Sequence, residues 1–464
     1  MKKSLVALAV LAATGAYAQS SVTLFGIIEA TTDIGYNRTQ DSTTTTNTFN
    51  AAGNGLTSVV TSTSAQQKNG FRVQDGSDQG SGSSRVGFRG TEDLGGGLKA
   101  NFLLEMGLRI DDGCTTLSAA GGPACDNGGG SGNSGGSTFG RNAWGGLSGA
   151  FGEVRLGRQV LGSFGVQGNS GSSGASNGLY DASTATMSPM GGIRFSNAIR
   201  YLSPNLGGFT GSLMLAAPET SGAGGAFGAT STTNTAGGFT TTNNTSRRTG
   251  VDLALEYANG PAYVGFGYNK RDAANGTSSV TPNVFGTTAV TAFPGTVTGY
   301  TIGGAYDLGV VKPFINYTRQ KGDIGGSTTF TSANPALNTF TSATGDSNQR
   351  ALSIGLRAPI GAFTVIAGYG RSTTTSNLTV ANTAGGVTLT GTGREEAKRD
   401  AFQLGAQYAL SKRTLVEANY GYNKLRGNGN VVATSTVPGT GRVEIIGNSN
   451  DRISALNVGL KHSF

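Results

Sequence analysis

Leu456-Asn457-Val458-Gly459-Leu460-Lys461-His462-Ser463-Phe464 closes the chain. Leu456, Val458, Leu460, His462 and Phe464 put an apolar or aromatic group at every second position, and Asn457, Gly459, Lys461 and Ser463 fill the gaps. Period-two alternation makes a strand with one apolar face and one polar face. Here the apolar face runs to the last residue, which a soluble sheet rarely allows. In a closed barrel crossing a bilayer the same strand is natural: its outer face meets lipid, its inner face meets water, and closure leaves no unpaired edge.

The alternation recurs upstream. Val86 and Phe88 oppose Arg85, Gly87 and Arg89, and Leu98, Ala100, Phe102, Leu104 and Met106 oppose Lys99, Asn101, Glu105 and Gly107. Val251, Leu253, Leu255 and Tyr257 oppose Asp252, Ala254 and Glu256; Val264, Phe266 and Tyr268 oppose Gly265, Gly267 and Asn269. Tyr300 to Leu308, Phe363 to Tyr369, Phe402 to Leu410 and Val416 to Tyr422 read the same way, with Tyr and Phe near segment ends as an aromatic girdle requires.

Two kinds of connection alternate between these strands. Short turns stand at Asp93-Leu94-Gly95-Gly96, Gly149-Ala150-Phe151-Gly152, Pro204-Asn205-Leu206-Gly207-Gly208, Asn259-Gly260-Pro261, Leu308-Gly309-Val310, Pro359-Ile360-Gly361 and Ser411-Lys412-Arg413. Between them lie Gly-, Ser-, Thr- and Asn-rich tracts such as 110–137, 218–246, 273–297 and 374–399, which cannot bury enough apolar surface for a core and read as long loops. Seven turns and eight loops connect sixteen antiparallel strands, with both chain ends on the short-turn, periplasmic side and the long loops extracellular. The predicted fold is an all-β transmembrane barrel. A parallel solenoid would need a fixed-period repeat, and none is found.

Met1, Lys2 and Lys3 precede an apolar run from Leu5 to Ala13 and then Ala16-Tyr17-Ala18, the pattern of a secretory signal peptide. Residues 1–18 are expected to be removed after Ala18, leaving one barrel domain over 19–464 in the outer membrane of a Gram-negative bacterium. The 78 glycines, 13% charged residues and mean hydropathy of −0.15 fit alternating rather than segregated polarity. Without Lys2 and Lys3 the chain keeps 32 Lys and Arg against 26 Asp and Glu, a scattered excess of about +6 that offers no patch for nucleic acid.

Cys114 and Cys125 stand in one loop of an exported chain and are expected to form a disulfide, a constraint of roughly 3 kcal/mol on the unfolded chain in the entropic account. No further Cys or His accompanies them, so a metal site is not indicated. The only histidine is His462, outward by parity, which removes Ser-His, Cys-His and His-metal chemistry together. Asp111-Asp112 and Glu395-Glu396 lie in or beside loops, and Gly95-Gly96-Gly97 lacks the lysine and hydroxyl of a phosphate loop. No enzyme activity and no cofactor are expected.

Ser20-Ser21-Val22-Thr23-Leu24-Phe25-Gly26, Ser84-Arg85-Val86-Gly87-Phe88-Arg89-Gly90-Thr91-Glu92-Asp93-Leu94-Gly95, Leu147-Ser148-Gly149 through Gly157-Arg158-Gln159, and Lys461-His462-Ser463-Phe464 together resemble the general porins of beta-proteobacteria. The resemblance implies a sixteen-stranded homotrimer with the third long loop folded into the pore. It also implies an ion filter of wall arginines, which falls here on Arg85, Arg141 and Arg194. By parity Arg85 opposes Val86 and Phe88, and Arg194 shares a face with Ser196 and Arg200 and opposes Phe195, Ile199 and Tyr201. The inward tract, about Val160 to Gly192, is rich in Gly and Ser and holds one acid, Asp181; Glu105 and Glu29 are the other candidates for the acidic side. Phe464, His462, Leu460, Val458 and Leu456 form the expected signal for the barrel-assembly machinery, and outer-membrane lipid and lipopolysaccharide are the expected surroundings.

These readings converge on a water-filled general diffusion channel for small hydrophilic solutes and ions that prefers anions, since permanently charged guanidinium groups favour them. The alternative is a barrel whose long loops act as a surface adhesin or binding protein.

Overall fold

A computed structural model of the chain describes residues 21–49, 56–74, 84–110, 138–171, 193–217, 230–234, 239–243, 249–273, 295–326, 342–384, 387–435 and 442–464. The strands, in order, are β1 (Ser21–Phe49), β2 (Leu56–Gln74), β3 (Arg85–Gly95), β4 (Leu98–Gly107), β5 (Asn142–Gly149), β6 (Gly152–Val160), β7 (Arg194–Leu202) and β8 (Phe209–Ala216). After them come β9 (Thr230–Asn234), β10 (Phe239–Asn243), β11 (Gly250–Asn259), β12 (Ala262–Ala273), β13 (Gly295–Tyr306) and β14 (Lys312–Gly326). The last five are β15 (Ser342–Ile360), β16 (Phe363–Ala384), β17 (Val387–Ala409), β18 (Thr414–Ser435) and β19 (Arg442–Ser463). One helix, α1 (Gly162–Gly171), follows β6.

Seventeen of the strands form one sheet. On one side β1 pairs with β19, from Ile27↔Ser463 to Phe49↔Arg442. On its other side Ser21–Ile27 pair with β3 and Thr31–Phe49 with β2. β2 and β3 therefore fill one position, and the closed antiparallel barrel has sixteen. All seven predicted turns join adjacent strands. Gly260 (φ 56°) and Gly361 (φ 63°) sit at the tips of the tightest ones, where the left-handed backbone suits glycine.

The polarity is the reverse of a soluble domain. Inward wall residues Glu29, Asp252, Asn316, Ser353, Gln403, Glu417, Asn419 and Asn457 are buried. Outward Phe88, Leu255, Val264, Ile302, Ile354, Leu404, Leu456 and Leu460 are exposed. Each lies on the face that alternation assigns to it, and such an outer face is stable only against hydrocarbon. Near the short turns Phe209 and Tyr257 (ring centroids 4.5 Å apart) and Phe363 and Tyr408 (4.6 Å) make outward aromatic pairs.

Three expectations change. Residues 374–399 are not a loop: β16 and β17 pair from Phe363↔Tyr408 to Ala384↔Val387, continuing well past the apolar band. A hairpin arm needs no core, because the ladder satisfies its backbone and the Thr-rich sequence favours a pleated strand. The tract 218–246 also contributes structure, a separate hairpin of β9 and β10. Lastly, Phe195 does not share the outward face of Ile199 and Tyr201. Asn197 adopts φ 50° and the β6–β7 register shifts between Gly157 and Gln159, so alternation is reset; Phe195 packs inside with Leu161, Ala198 and Met214. The tracts 111–137 and 274–294, with Cys114 and Cys125, lie outside the described residues, as do Asp181 and residues 1–18.

Candidate functional site

The inner wall from β3 to β7 gathers the arginines. Glu105 on β4 lies between Asn142 and Gly87 in the register, and its carboxylate is shared. Arg141 donates through Nε at 2.5 Å to Oε1, Asn142 donates through Nδ2 at 2.9 Å to Oε2, and the Arg85 Nε stands 3.7 Å from Oε1. Arg141 reaches inward because it occupies a bend just before β5, where strand parity no longer applies, and its amide donates to the Glu105 carbonyl at 3.2 Å.

Arg194 begins β7 opposite Val160, where the chain leaves the wall for α1. It lies within electrostatic range of Arg141, Arg158, Arg85 and Glu105, and no carboxylate among the described residues forms an ion pair with it. Arg194 thus lies in the field of Arg141 and Arg85, although the inward Phe195 removes the parity argument that set Arg194 on the face of Arg200. Glu105 lies among these cations rather than across from them. Glu29 is also on this side: its carboxylate is 3.5 Å from Lys461 Nζ, and its amide donates to Ser84 Oγ next to Arg85.

Two further cations stand on this wall, Arg155, which sequence reasoning did not single out, and Arg200, which it set on the lumen face. Arg155 and Arg200 face each other in the register. Arg155 pairs with Glu153 at 2.7 Å and lies 4.2 Å from the centroid of Trp144, while Arg200 donates to the Val160 carbonyl and Ser212 Oγ, each at 3.1 Å. Arg158, opposite Ala143 in the register, donates to the Gly140 carbonyl and Ser196 Oγ, each at 2.6 Å, and lies within electrostatic range of Arg194. Gly157 is obligatory there, since its φ is 128° and a Cβ would meet the Ala143 carbonyl oxygen. The signal for Arg155 was present in Val154-Arg155-Leu156, where it alternates with two apolar residues.

The helix α1 lies against the inner face of β11 to β14. Glycines at 162, 165, 168 and 171 make its composition that of a loop, and ten such residues would not stay helical alone. Tertiary contacts hold it. Asp252 accepts the Gly162 amide at 2.6 Å and the Ser163 amide at 3.2 Å, capping the helix N-terminus with a carboxylate. Asn169 donates to Glu256 at 2.7 Å, Asn269 donates to Ser163 Oγ at 3.2 Å, and Ser170 Oγ bonds Asn316. Inward glycines of the wall make room: a Cβ at Gly267 would fall 2.6 Å from Ser163 Cα.

Arg85, Arg141, Arg155, Arg194, Arg200 and Lys461 against Glu29, Glu105 and Glu153 give this wall a positive excess. An inward helix clamped to the opposite strands narrows the space in front of it. Together these features define a membrane-spanning barrel with a wet, cationic lumen. The chain belongs to the Gram-negative porin family, whose profile matches residues 4–428, and it is an outer-membrane porin. It is similar to outer membrane porin protein 32 of Delftia acidovorans, 34% identical over 335 residues that span 70% of this chain and 72% of that protein. It is also similar to an outer membrane porin protein of Bordetella pertussis, 30% identical over 444 residues, 91% of this chain and 94% of that one. Among solved structures, the loop L8 deletion mutant of OmpT from Vibrio cholerae aligns over 96% of this chain and 99% of its own with a TM-score of 0.52. At 14% identity that likeness concerns the fold alone.

Proposed function

We propose that this porin passes small hydrophilic solutes passively, prefers inorganic anions, and selects them at Arg85, Arg141 and Arg194. The observation that carries the reading is the single Glu105 carboxylate engaged by Arg141 and Arg85, with Arg194 in the same field and unpaired among the described residues. Guanidinium groups keep their charge at any working pH and lower the entry barrier for anions. No catalytic step or cofactor enters this function. The homotrimeric assembly, the Cys114–Cys125 disulfide, the facing acid Asp181 and the assembly role of the C-terminal strand belong to the same proposal and rest on the resemblance and the sequence.

A planar bilayer separating two KCl concentrations tests it. A unit charge about 7 Å from a passing ion in water contributes on the order of 0.6 kcal/mol, halved by screening near 0.1 M salt. Each charge favours chloride and disfavours potassium by that amount, so replacing Arg85, Arg141 and Arg194 by Gln should lower the chloride-to-potassium permeability ratio on the order of twentyfold. An unchanged reversal potential would remove these residues from the filter.

A further inference from the structure

The sheet continues above the apolar band and then stops abruptly at one strand. On β1 and β19 the band ends at Ile34 and Leu456, which pair with each other and are exposed. Beyond that level β16 to β19 and β1 are paired on both sides, and the arm they form ends on β2. Residues 56–66 of β2 pair with 39–49 of β1 without a break in register. No strand among the described residues pairs with the other edge of this stretch, because β3 and β4, which follow in the barrel, reach only the level of Arg85 and Gly107. From Ser58 to Asn69 every residue of β2 is exposed.

An open edge of this kind presents a row of amide and carbonyl groups to any extended chain, and proteins normally blunt it with charge, proline or a bulge. Residues 56–67 contain no charged residue, no proline and no glycine. The left-handed Asn69 (φ 52°) and the register shifts of the β1–β2 ladder lie below them. What remains is a straight, neutral edge about 36 Å long at the usual strand rise. Val and Thr favour the pleated backbone, and Thr pairs well with Thr or Ser across a ladder. The β1–β2 ladder already uses that chemistry: Ser42 Oγ and Thr63 Oγ1 stand 2.5 Å apart, and Ser58 Oγ donates to Asn47 at 2.9 Å. A segment without charge has nothing to attract an acidic or basic partner, and nothing to repel its own copy.

We propose that the free edge of β2 adds, antiparallel, to the same edge of a second copy of the chain seated in a facing membrane. The direction follows from symmetry. An axis relating barrels within one membrane lies along the membrane normal and sets their β2 strands running the same way. A two-fold axis between opposed membranes lies in the membrane plane, so the two strands run oppositely, which is the more stable ladder. One such strand-to-strand contact is small and weak on its own. Many copies on two surfaces engage together, and the contacts act by avidity. The proposal depends neither on the anion preference of the pore nor on how subunits assemble within one membrane.

The test reconstitutes the folded full chain into phosphatidylcholine vesicles labelled in separate batches with donor and acceptor dyes, and reads clustering by energy transfer between them. Wild-type vesicles should cluster with one another and not with protein-free vesicles. A variant carrying Val60→Lys and Ser62→Lys sets like charges across the pairing, as does one carrying Val60→Glu and Ser62→Glu, and each should cluster with itself at least about tenfold more slowly. Lysine-variant vesicles mixed with glutamate-variant vesicles should recover most of the rate, a rescue that a merely damaged arm would not give. Heat-modifiable mobility on gels verifies folding, and single-channel conductance should be unchanged in both variants, which separates this test from the pore reading. Absence of clustering by the wild type, equal clustering with protein-free vesicles, undiminished clustering of the lysine variant, or no recovery in the mixture would each overturn the proposal.

Discussion

The Asp252 carboxylate on β11 accepts the Gly162 amide at 2.6 Å, joining the wall to the first residue of α1 across 90 positions of sequence. That bond and the one to Ser163 are what give a glycine-rich segment a fixed place in the lumen. An N-cap of this type contributes about 1–2 kcal/mol. Asp252→Ala should therefore release the helix: open-channel current noise rises, mean conductance increases, and protease cleavage within 162–171 accelerates about tenfold, while the barrel keeps its heat-modifiable mobility. Unaltered noise and cleavage would show that the wall glycines and Asn316 suffice.

Glu105 gives the opposite sign from its neighbours. It is the only carboxylate among the described residues within ion-pair distance of Arg85 and Arg141, so Glu105→Gln removes a negative charge from the field that anions cross. The chloride-to-potassium permeability ratio should rise by about twofold in dilute salt and approach the wild-type value at 1 M, where the Debye length is about 3 Å. Stability should fall, since two partly buried guanidinium groups lose a partner. A fall in the permeability ratio would contradict the assignment of this wall.

Much of this molecule is legible in its sequence because a membrane barrel imposes a binary rule on every strand residue. The outward exposure of Leu255, Ile302 and Leu404 and the burial of Asp252, Thr301 and Gln403 follow from parity alone. Glycine and proline punctuate most of the turns for local reasons. Parity fails where the backbone breaks step, as at Asn197 and Gly157, and it says nothing of Arg141, whose direction is set by a bend outside the strand. Composition fails at α1 and at 374–399 for a common reason: tertiary hydrogen bonds and ladder pairing override a polar, glycine-rich signal that is purely local. Asp252 reads as one more lumen-facing acid until the helix it caps is in place.

Glu395 offers a pH-dependent readout of the hairpin arms. It lies on β17 well beyond the apolar band, opposite Ser376 and Gly429, and burial pushes its carboxyl from 4.5 up to about 7. The folded arm thus holds the proton more tightly than the unfolded chain. The stabilisation from this protonated group is complete below about 4.5, declines as the unfolded form ionises, and is gone above about 7. Amide exchange in the β16 and β17 arms beyond Arg371 and Asp400, corrected for intrinsic rates, should accelerate across that window. Glu395→Gln should flatten the profile, and a profile that persists in the variant would assign the effect to another group.

Phe464 tests whether the closing strand carries information beyond its packing. Its amide and carbonyl exchange hydrogen bonds with Gly26, both at 3.1 Å, and its ring occupies the space that a Cβ on Gly26 would need. The ring is 39% exposed, so its loss removes only part of the 3–5 kcal/mol typical of truncating a buried phenylalanine. Phe464→Ala refolded from urea into detergent should reach the native barrel with stability lowered by about 1–2 kcal/mol. In cells, if the assembly machinery reads this residue, the yield in the outer membrane should fall far more than that loss implies, because recognition precedes folding. Equal effects in detergent and in cells would leave Phe464 a closure contact and nothing more. Gly26→Val separates the two further: it disrupts the same contact from the β1 side with the C-terminal sequence intact, so it should impair refolding in detergent while leaving recognition of the chain unaffected.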